Sequence, residues 1–164
     1  MPDSTAPPAI QDLYPENLAH CYGCGRLNAQ GHHIRTFVDE AGGSVSEFTP
    51  DASHIAVPGF VYGGVIASLI DCHSTATAAA AMAAAGAAAA HASPSRPPPR
   101  FVTASLHVDY LRPTPLGAAL VVRGSAREIK GRKVVVESTV YAGGVATARG
   151  EVVAVMMPEA FGQA

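Results

Sequence analysis

The alternation of apolar and polar positions predicts one long helix in the middle of the chain. An apolar stripe recurs there at the helical spacing i, i+3, i+4 and i+7: Val65, Ile66, Leu69, Ile70 and His73. The helix continues through the alanine-rich run 76–90, since alanine has the highest helix propensity. It ends before the proline-rich stretch 92–100, because proline lacks an amide donor and excludes the preceding residue from the α region.

Strand-like segments lie on both sides of this helix. Two short ones precede it, in HHIRTFVDE and GSVSEFTP, joined by a turn at 40–43. Four follow, in FVTASLHVDYLRP, GAALVVRGSAREI, KVVVESTVYA and VATARGEVVAVMM, with the short glycine-containing connections of an antiparallel meander. The pattern predicts an α+β domain in which one helix lies along the concave face of a sheet of about six antiparallel strands.

Length and composition indicate a single domain. The chain has 164 residues, 48% of them hydrophobic and 15% charged, with a net charge of −2. We expect a flexible arm over 1–18, one domain over 19–158 and a tail over 159–164. The sequence shows no long basic run that could bind nucleic-acid phosphates and no signal peptide. It also shows no apolar run long enough to span a membrane. We therefore expect a cytoplasmic protein that binds neither nucleic acid nor membrane.

The predicted helix carries one carboxylate, Asp71, on the side away from its apolar stripe. The residues nearest to it around the helix are all small: Gly64, Ala67, Ser68, Thr75 and Ala78. The helix opens at Gly63 and Gly64, whose free amides and helix dipole favour an anion. A carboxylate and an anion-binding terminus are two elements that acyl transfer requires. The simpler interpretations, a solvated acid and a glycine turn, stay open at this point.

The spacing of these two elements restricts where they can act. Gly63 and Asp71 are eight residues apart, which is about 12 Å along a helix axis. One carbonyl carbon therefore cannot be served by both residues of a single helix. If both act on one substrate, the site lies between two subunits, with Gly63 from one chain and Asp71 from the other.

Several short motifs occur in the order found in a known family. They are CYGCGRLNAQGHHIR, VYGGVIASLID, VDYLRPTPLG and GRKVVVESTVY. Through them, residues 20–157 resemble the hotdog-fold acyl-CoA thioesterases, most closely the phenylacetate-pathway-like group. The resemblance implies a hotdog fold, homodimers that often pair into tetramers, and active sites at the dimer interface. It implies an acyl-CoA or acyl-carrier-protein substrate and no cofactor besides the coenzyme A that the substrate carries.

The resemblance also implies roles for individual residues. Asp71 falls on the family's helix acid, a general base or nucleophile. The N–H of Gly63 falls on the oxyanion donor, and Thr103 on a hydroxyl that helps to place the water. The usual His-Gly-Gly pattern is altered, because Tyr62 replaces the histidine, and Cys72 stands where an acid often follows the catalytic position. The substrate-binding residues that we expect are Tyr62, Gly64, His54, Phe60, Val61, Arg132 and Lys133, the last two as cations for the nucleotide phosphates.

The other chemistry-bearing residues have simpler interpretations. Cys21 and Cys24 have the C-x2-C spacing of half a zinc site. There is no second such pair and Cys72 lies in the helix, so we expect a glycine-shaped turn and no metal. We expect His54 to be satisfied within its loop and His73 within the core. The Cα atoms of residues 107 and 109, a histidine and an aspartate on one strand, are about 6.6–7 Å apart, too far for routine pairing of the two.

Two functions other than thioester hydrolysis remain open. Hotdog domains also act as ligand sensors, and Tyr62 in place of histidine keeps a non-catalytic acyl-CoA-binding or regulatory module in consideration. The sequence has no DNA-binding helix-turn-helix, which argues against a transcriptional sensor. A hotdog dehydratase would pair a catalytic histidine with an aspartate near the helix start. Residues 50–64 offer His54 without that pairing, so this function ranks last.

Overall fold

The computed structural model describes residues 7–90, 97–158 and 160–161. Their regular elements are β1 (Thr36–Val38), β2 (Ser44–Phe48), α1 (Gly63–Ala90), β3 (Phe101–Tyr110), β4 (Leu120–Lys130), β5 (Lys133–Ala142) and β6 (Val145–Met156). Short 3-10 helices lie at Ile10–Leu13, Glu16–Leu18 and Ala52–His54. The predicted order of two strands, one long helix and four strands is confirmed.

The six strands form one antiparallel sheet in the order β1-β2-β4-β5-β6-β3. Helix α1 follows β2 and precedes β3, and it packs against all six strands. This is the hotdog arrangement that the sequence predicts. Strand β3 lies at one end of the order, so one of its edges pairs with no strand in the described part of the chain.

The predicted apolar stripe of α1 forms the centre of the core. Its five members, Val65, Ile66, Leu69, Ile70 and His73, are at most 6% exposed. They face the buried side of the sheet, where Val122, Val136, Val140 and Val152 are fully buried. Burying a leucine or isoleucine side chain contributes about 1.5–3 kcal/mol. This stripe therefore fixes which side of α1 faces the sheet.

Helix α1 is also long and apolar enough to cross a membrane when judged by length and composition alone, over Gly63–Gly86. In this structure 67% of its most apolar window is buried inside the chain. The core helix of a hotdog domain has the same properties, because the sheet wraps around it.

The described part of the predicted N-terminal arm, residues 7–18, packs against α1 and β1. Ala9, Ile10 and Tyr14 are buried. The Gln11 side chain donates to Thr36 Oγ1 at 2.9 Å and accepts from the Thr36 N–H at 2.8 Å. These paired bonds tie the segment to the start of β1. Most of the predicted tail, residues 159 and 162–164, lies outside the described residues.

His73 is the satisfied core histidine that the sequence predicts. Its Nε2 lies 3.0 Å from Ser44 Oγ and its Nδ1 lies 2.7 Å from Ser46 Oγ, both on β2. Gly124 on β4 also lies close to the ring, where a side chain would collide with Nε2. Since only neutral groups hydrogen-bond to the imidazole, burial lowers the pKa of His73 from 6.5 to about 4.

This buried imidazole makes the fold sensitive to acid. Below about pH 6.5 the unfolded chain binds a proton at His73 that the folded chain does not bind until about pH 4, so stability falls across that window. Between about pH 7 and pH 5 the free energy of unfolding should fall by about 2 kcal/mol more in the wild type than in His73→Gln. Urea unfolding at each pH measures this difference. Parallel pH profiles for the two proteins would contradict the assignment.

Candidate active site

Asp71 and Thr103 meet between the central helix and the edge strand. The Thr103 hydroxyl donates a hydrogen bond to Asp71 Oδ1. The register between β3 and β6 shifts between Thr103 and Ser105, an irregularity of the kind that re-aims side chains near active sites. The structure therefore brings together two of the residues that the resemblance implies.

The Asp71 carboxyl is half-buried beside a small cavity of about 180 Å³. The cavity is lined by side chains from α1, from the start of β3 and from the N-terminal segment: Cys21, Asp71, Cys72, Thr75, Arg100, Phe101, Val102 and Thr103. The small-residue face of α1 is covered along part of its length, because Thr75 and Ala78 are buried within the single chain. Access to Asp71 is therefore restricted to the part of α1 next to β3.

Burial raises the pKa of Asp71 above its ordinary value. The hydrogen bond from Thr103 and the guanidinium of Arg100 act in the opposite direction, while the neighbouring Cys21 adds to the rise. A carboxylate with a raised pKa is a better proton acceptor than one in water. The environment of Asp71 therefore suits a general base.

The other end of the candidate site is the start of α1, at Gly63. Among the described residues, no backbone or side-chain acceptor bonds to the N–H groups of Gly63 or Gly64. The hydroxyl of Tyr110, at the end of β3, donates to the carbonyl of Gly63 at 2.8 Å. The ring of Tyr62 lies against Gly64, in the space that a side chain there would fill. Two free amides at the positive end of a helix can bind an oxyanion.

An apolar groove of about 650 Å³ leads to Gly63. Its lining includes Val57, Phe60, Val61, Gly63, Ile66, Tyr110, Leu111, Arg112, Pro113 and Thr114. The Oγ1 of Thr114 is buried and has no hydrogen-bond partner among the described residues. The groove thus offers mainly apolar walls, a feature typical of small-molecule sites.

The groove at Gly63 and the cavity at Asp71 are separate in one chain. Within the described residues, no side chain lines both. Gly63 and Asp71 belong to the same continuous helix, so the separation of about 12 Å cannot shorten without breaking it. The single chain holds both chemical elements and does not bring them to one point.

His54 lines a third cleft, of about 470 Å³, together with Tyr62 and Gly64. Its Nδ1 accepts from the Asp51 N–H at 3.0 Å. Its ring packs against the rings of His32 and Phe48, with centroid distances of 5.0 and 5.5 Å. These contacts are those of a histidine satisfied within its loop, while its place in the cleft keeps substrate contact as a prediction.

The two cations expected to bind phosphates lie at the tip of the β4–β5 hairpin. Arg132 Nη2 donates to the Met156 carbonyl at 2.7 Å, and Lys133 Nζ lies 3.7 Å from Glu128 Oε1. Neither residue lines the groove at Gly63, the cavity at Asp71 or the cleft at His54. Phosphate binding by this pair stays a prediction.

One expectation about surface residues is wrong. His107 Nε2 lies 3.2 Å from Asp109 Oδ1, although their spacing along β3 argued against direct contact. The two side chains lean toward each other along the strand, which Cα spacing does not capture. Both are exposed, at 70% and 64% of their side-chain surface, and neither lines the cavity at Asp71.

Two site residues were not identified from the sequence. Arg100 lies beside Asp71, and Tyr110 contacts the start of α1. Arg100 comes directly before β3, next to the proline-rich stretch, and one arginine there is no specific signal. Tyr110 lies in the VDYLRP motif, so the motif marked the region without indicating that its hydroxyl reaches Gly63.

Comparison with known proteins identifies thioesterases as similar to this chain. A family model described as the thioesterase superfamily matches residues 58–148. The chain is similar to a thioesterase superfamily protein from Shewanella loihica, with 42% identity over 90% of this chain and 99% of that one, at a TM-score of 0.65. The E. coli PaaI protein from the phenylacetic acid degradation operon has the same fold at 16% identity and a TM-score of 0.61, covering 77% of this chain and 81% of that one.

Curated relatives match only a portion of their own length. Acyl-coenzyme A thioesterase THEM4 of Rattus norvegicus is 32% identical over 84 residues, which are 51% of this chain and 29% of the relative. The Xenopus laevis THEM4 protein is 34% identical over 77 residues, which are 47% of this chain and 28% of the relative. The matched segment is thus less than a third of these relatives.

The contact between Tyr62 and Gly64 can be tested by a double-mutant cycle. Gly64→Ala places a methyl group where the Tyr62 ring lies, so the ring must move. We expect Gly64→Ala to lower the free energy of unfolding more in the wild-type background than in the Tyr62→Ala background. The difference, measured by urea unfolding, should be about 0.5–1 kcal/mol. Gly86→Ala is the control: its added methyl meets nothing within 4 Å and should stabilise the helix. Additive effects at 62 and 64 would exclude the contact.

Proposed function

The chain belongs to the thioesterase superfamily, and we propose that it hydrolyses an acyl-CoA or acyl-carrier-protein thioester to a free acid and a thiol. The observation that carries this proposal is the Asp71 carboxylate held by Thr103 at the edge of the sheet. A half-buried acid with a hydroxyl partner beside a cavity is equipped to activate water. The Acyl-coenzyme A thioesterase relatives support the choice of substrate class.

In the proposed reaction, Asp71 takes a proton from a water molecule that Thr103 helps to place. The resulting hydroxide attacks the thioester carbonyl, and the negative charge on oxygen is stabilised by the Gly63 N–H and the dipole of α1. The tetrahedral intermediate then expels the thiolate, a good leaving group that needs little help from a general acid. Direct attack by the Asp71 carboxylate on the same carbonyl is the second route open to this residue.

The proposed site is formed by two copies of the chain. Asp71 and Gly63 lie about 12 Å apart along one helix, so a single carbonyl needs Asp71 from one copy and Gly63 from the other. Strand β3, which carries Thr103, presents an unpaired edge of ten residues within the described sheet. Pairing of two such edges would extend the sheet across a two-fold axis and bring the second copy to Asp71.

The groove at Gly63 is the proposed place for the acyl group or the pantetheine arm. Phe60 and Val61 provide apolar walls for it. Arg132 and Lys133 are proposed to contact the nucleotide phosphates of a substrate that lies between the two subunits. Tyr62, Gly64 and His54 border the neighbouring cleft and are proposed to contact the substrate near its carbonyl.

A non-catalytic acyl-CoA-binding module is the second candidate function. The observation that favours it is the Tyr62 ring, which lies against Gly64 at the end of the helix where the thioester oxygen would bind. Such a protein would bind acyl-CoA and release no thiol. The hydrolysis assay below separates the two functions directly.

The hydrolysis proposal makes Asp71 indispensable. We expect the wild type to release thiol from some members of a panel of aromatic and aliphatic acyl-CoAs, measured with a thiol-reactive dye. Asp71→Asn and Asp71→Ala should lower kcat by about 10²–10⁴, the contribution typical of a positioned general base. Thr103→Val should lower it less, because the carboxylate remains.

Glu47→Gln is the matched control for that experiment. It removes an exposed carboxylate from β2 and leaves Asp71 and the β3 edge untouched, so its kcat should equal the wild-type value. Full activity of Asp71→Ala would refute the proposed role of Asp71. Calorimetric binding of acyl-CoA without thiol release from any member of the panel would instead support the binding module.

The two-copy site predicts complementation between inactive variants. Gly63 is the first residue of α1, where proline is tolerated, so Gly63→Pro removes the N–H and preserves the helix. We expect Gly63→Pro to lose about 10²–10³ in kcat, while Gly63→Ala, which keeps the N–H, retains most activity. We then mix Gly63→Pro and Asp71→Ala in equal amounts, unfold them and refold them together. The mixture should recover about a quarter of the wild-type activity, because half of the dimers are mixed and each mixed dimer holds one intact site of two.

A site within one protomer would give a different result. Neither variant could then supply the group that the other lacks, and the mixture would stay inactive. Light scattering before and after mixing confirms that dimers form, so that absent complementation cannot result from failed assembly.

A further inference from the structure

Three cysteines that are far apart in the sequence meet beside the catalytic helix. The Sγ atoms of Cys21, Cys24 and Cys72 all lie within 4.8 Å of one another, and those of Cys21 and Cys72 are 3.9 Å apart. Cys24 and Cys72 are buried and Cys21 is half-buried. Among the described residues this is the only group of three metal-ligating side chains that converge in this way. We call these three residues the cysteine cluster.

One sulfur–sulfur distance in the cysteine cluster, Cys21 to Cys72, matches the edge of a tetrahedral thiolate site, and the other two are at most 4.8 Å. Zinc–sulfur bonds are about 2.3 Å long, which places two sulfurs on one tetrahedral zinc about 3.8 Å apart. The 3.9 Å between Cys21 and Cys72 is close to that value. Buried free cysteines pack as small apolar groups, so the convergence of three sulfurs, and not their burial, points to a metal.

The turn that carries Cys21 and Cys24 is shaped around the sulfurs. The Gly25 N–H donates to the Cys21 carbonyl at 2.7 Å, and a side chain at Gly25 would collide with backbone atoms of Cys21. A side chain at Gly23 would occupy the position of Cys72 Sγ. The two glycines therefore permit both the tight turn and the approach of the helix cysteine.

A nearby positive charge favours thiolates at this position. Arg100 Nη2 lies 4.0 Å from Cys24 Sγ, and its guanidinium packs over the Tyr14 ring, 4.8 Å from the ring centroid. Three thiolates around a divalent cation carry a net charge of −1, which the single positive charge of Arg100 offsets.

We propose that Cys21, Cys24 and Cys72 bind one zinc ion through three thiolates and so fasten the N-terminal segment to helix α1. Soft sulfur ligands in a tetrahedral arrangement select zinc among the common divalent cations. The fourth position is filled by water from the adjoining cavity, which Cys21 and Cys72 line. The sequence shows only the C-x2-C half of this site, and we expected no metal from it, because Cys72 joins the other two cysteines only through the fold.

The test is metal titration of the reduced, chelator-treated protein. We expect one equivalent of Co²⁺ to bind and to give the intense thiolate-to-cobalt absorption of a tetrahedral site, and Zn²⁺ to displace it. Cys21→Ser, Cys24→Ser and Cys72→Ser should each lose this absorption. His107→Gln is the control: it removes an exposed histidine next to a carboxylate, the most obvious adventitious metal site, and should retain it.

A second measurement needs no variant and avoids the question of whether each one folds. In the wild type, one equivalent of Zn²⁺ should protect all three cysteines from alkylation, as read by mass spectrometry, and should raise the melting temperature. Alkylation unchanged by zinc, or cobalt binding without thiolate absorption, would overturn the proposal. So would a disulfide within the cluster in protein isolated without reductant, if the reduced protein then binds no metal. Neither measurement depends on thioester hydrolysis.

Discussion

The rigid spacing of Gly63 and Asp71 on one buried helix is the constraint on which the proposed site depends. The helix is fixed in rotation, because its apolar stripe is buried against the sheet. It is fixed in length, because its hydrogen bonds hold each residue to a rise of about 1.5 Å. Only a break in the helix between these residues could bring its two chemical elements together. The proposed chemistry would therefore require a second copy of the chain.

Strand β3 connects this constraint to assembly. The same strand supplies Thr103 to the proposed catalytic acid Asp71, Tyr110 to the start of α1 and, within the described sheet, an unpaired edge. An exposed edge of ten residues is a liability in a monomer, since it can pair with any extended chain. Covering that edge with a second copy would remove the liability and complete the site in one step.

The sequence predicted the fold well, because the fold depends on local patterns. The helical stripe around Leu69 and the glycine connections between strands are patterns that each span only a few residues of sequence. Short motifs also indicated Asp71 and Thr103, through the family resemblance. What the sequence missed depends on long-range contacts. The Cys21–Cys72 contact spans 51 positions, and the packing of Gln11 on Thr36 spans 25. The His107–Asp109 pair was missed for another reason, because it depends on side-chain direction.

Asp71 and Cys72 show how one helix can serve two purposes at consecutive positions. Adjacent residues on a helix point about 100° apart, so Asp71 reaches Thr103 on β3 while Cys72 reaches the cysteines of the N-terminal segment. A second acid at position 72 would bring a like charge next to Asp71 and would need its own partner in a buried setting. A cysteine there avoids that cost when protonated. Its thiolate would be stabilised by a bound cation. Cys72, one of two residues that depart from the family pattern, is therefore also the one through which α1 contacts Cys21 in the N-terminal segment.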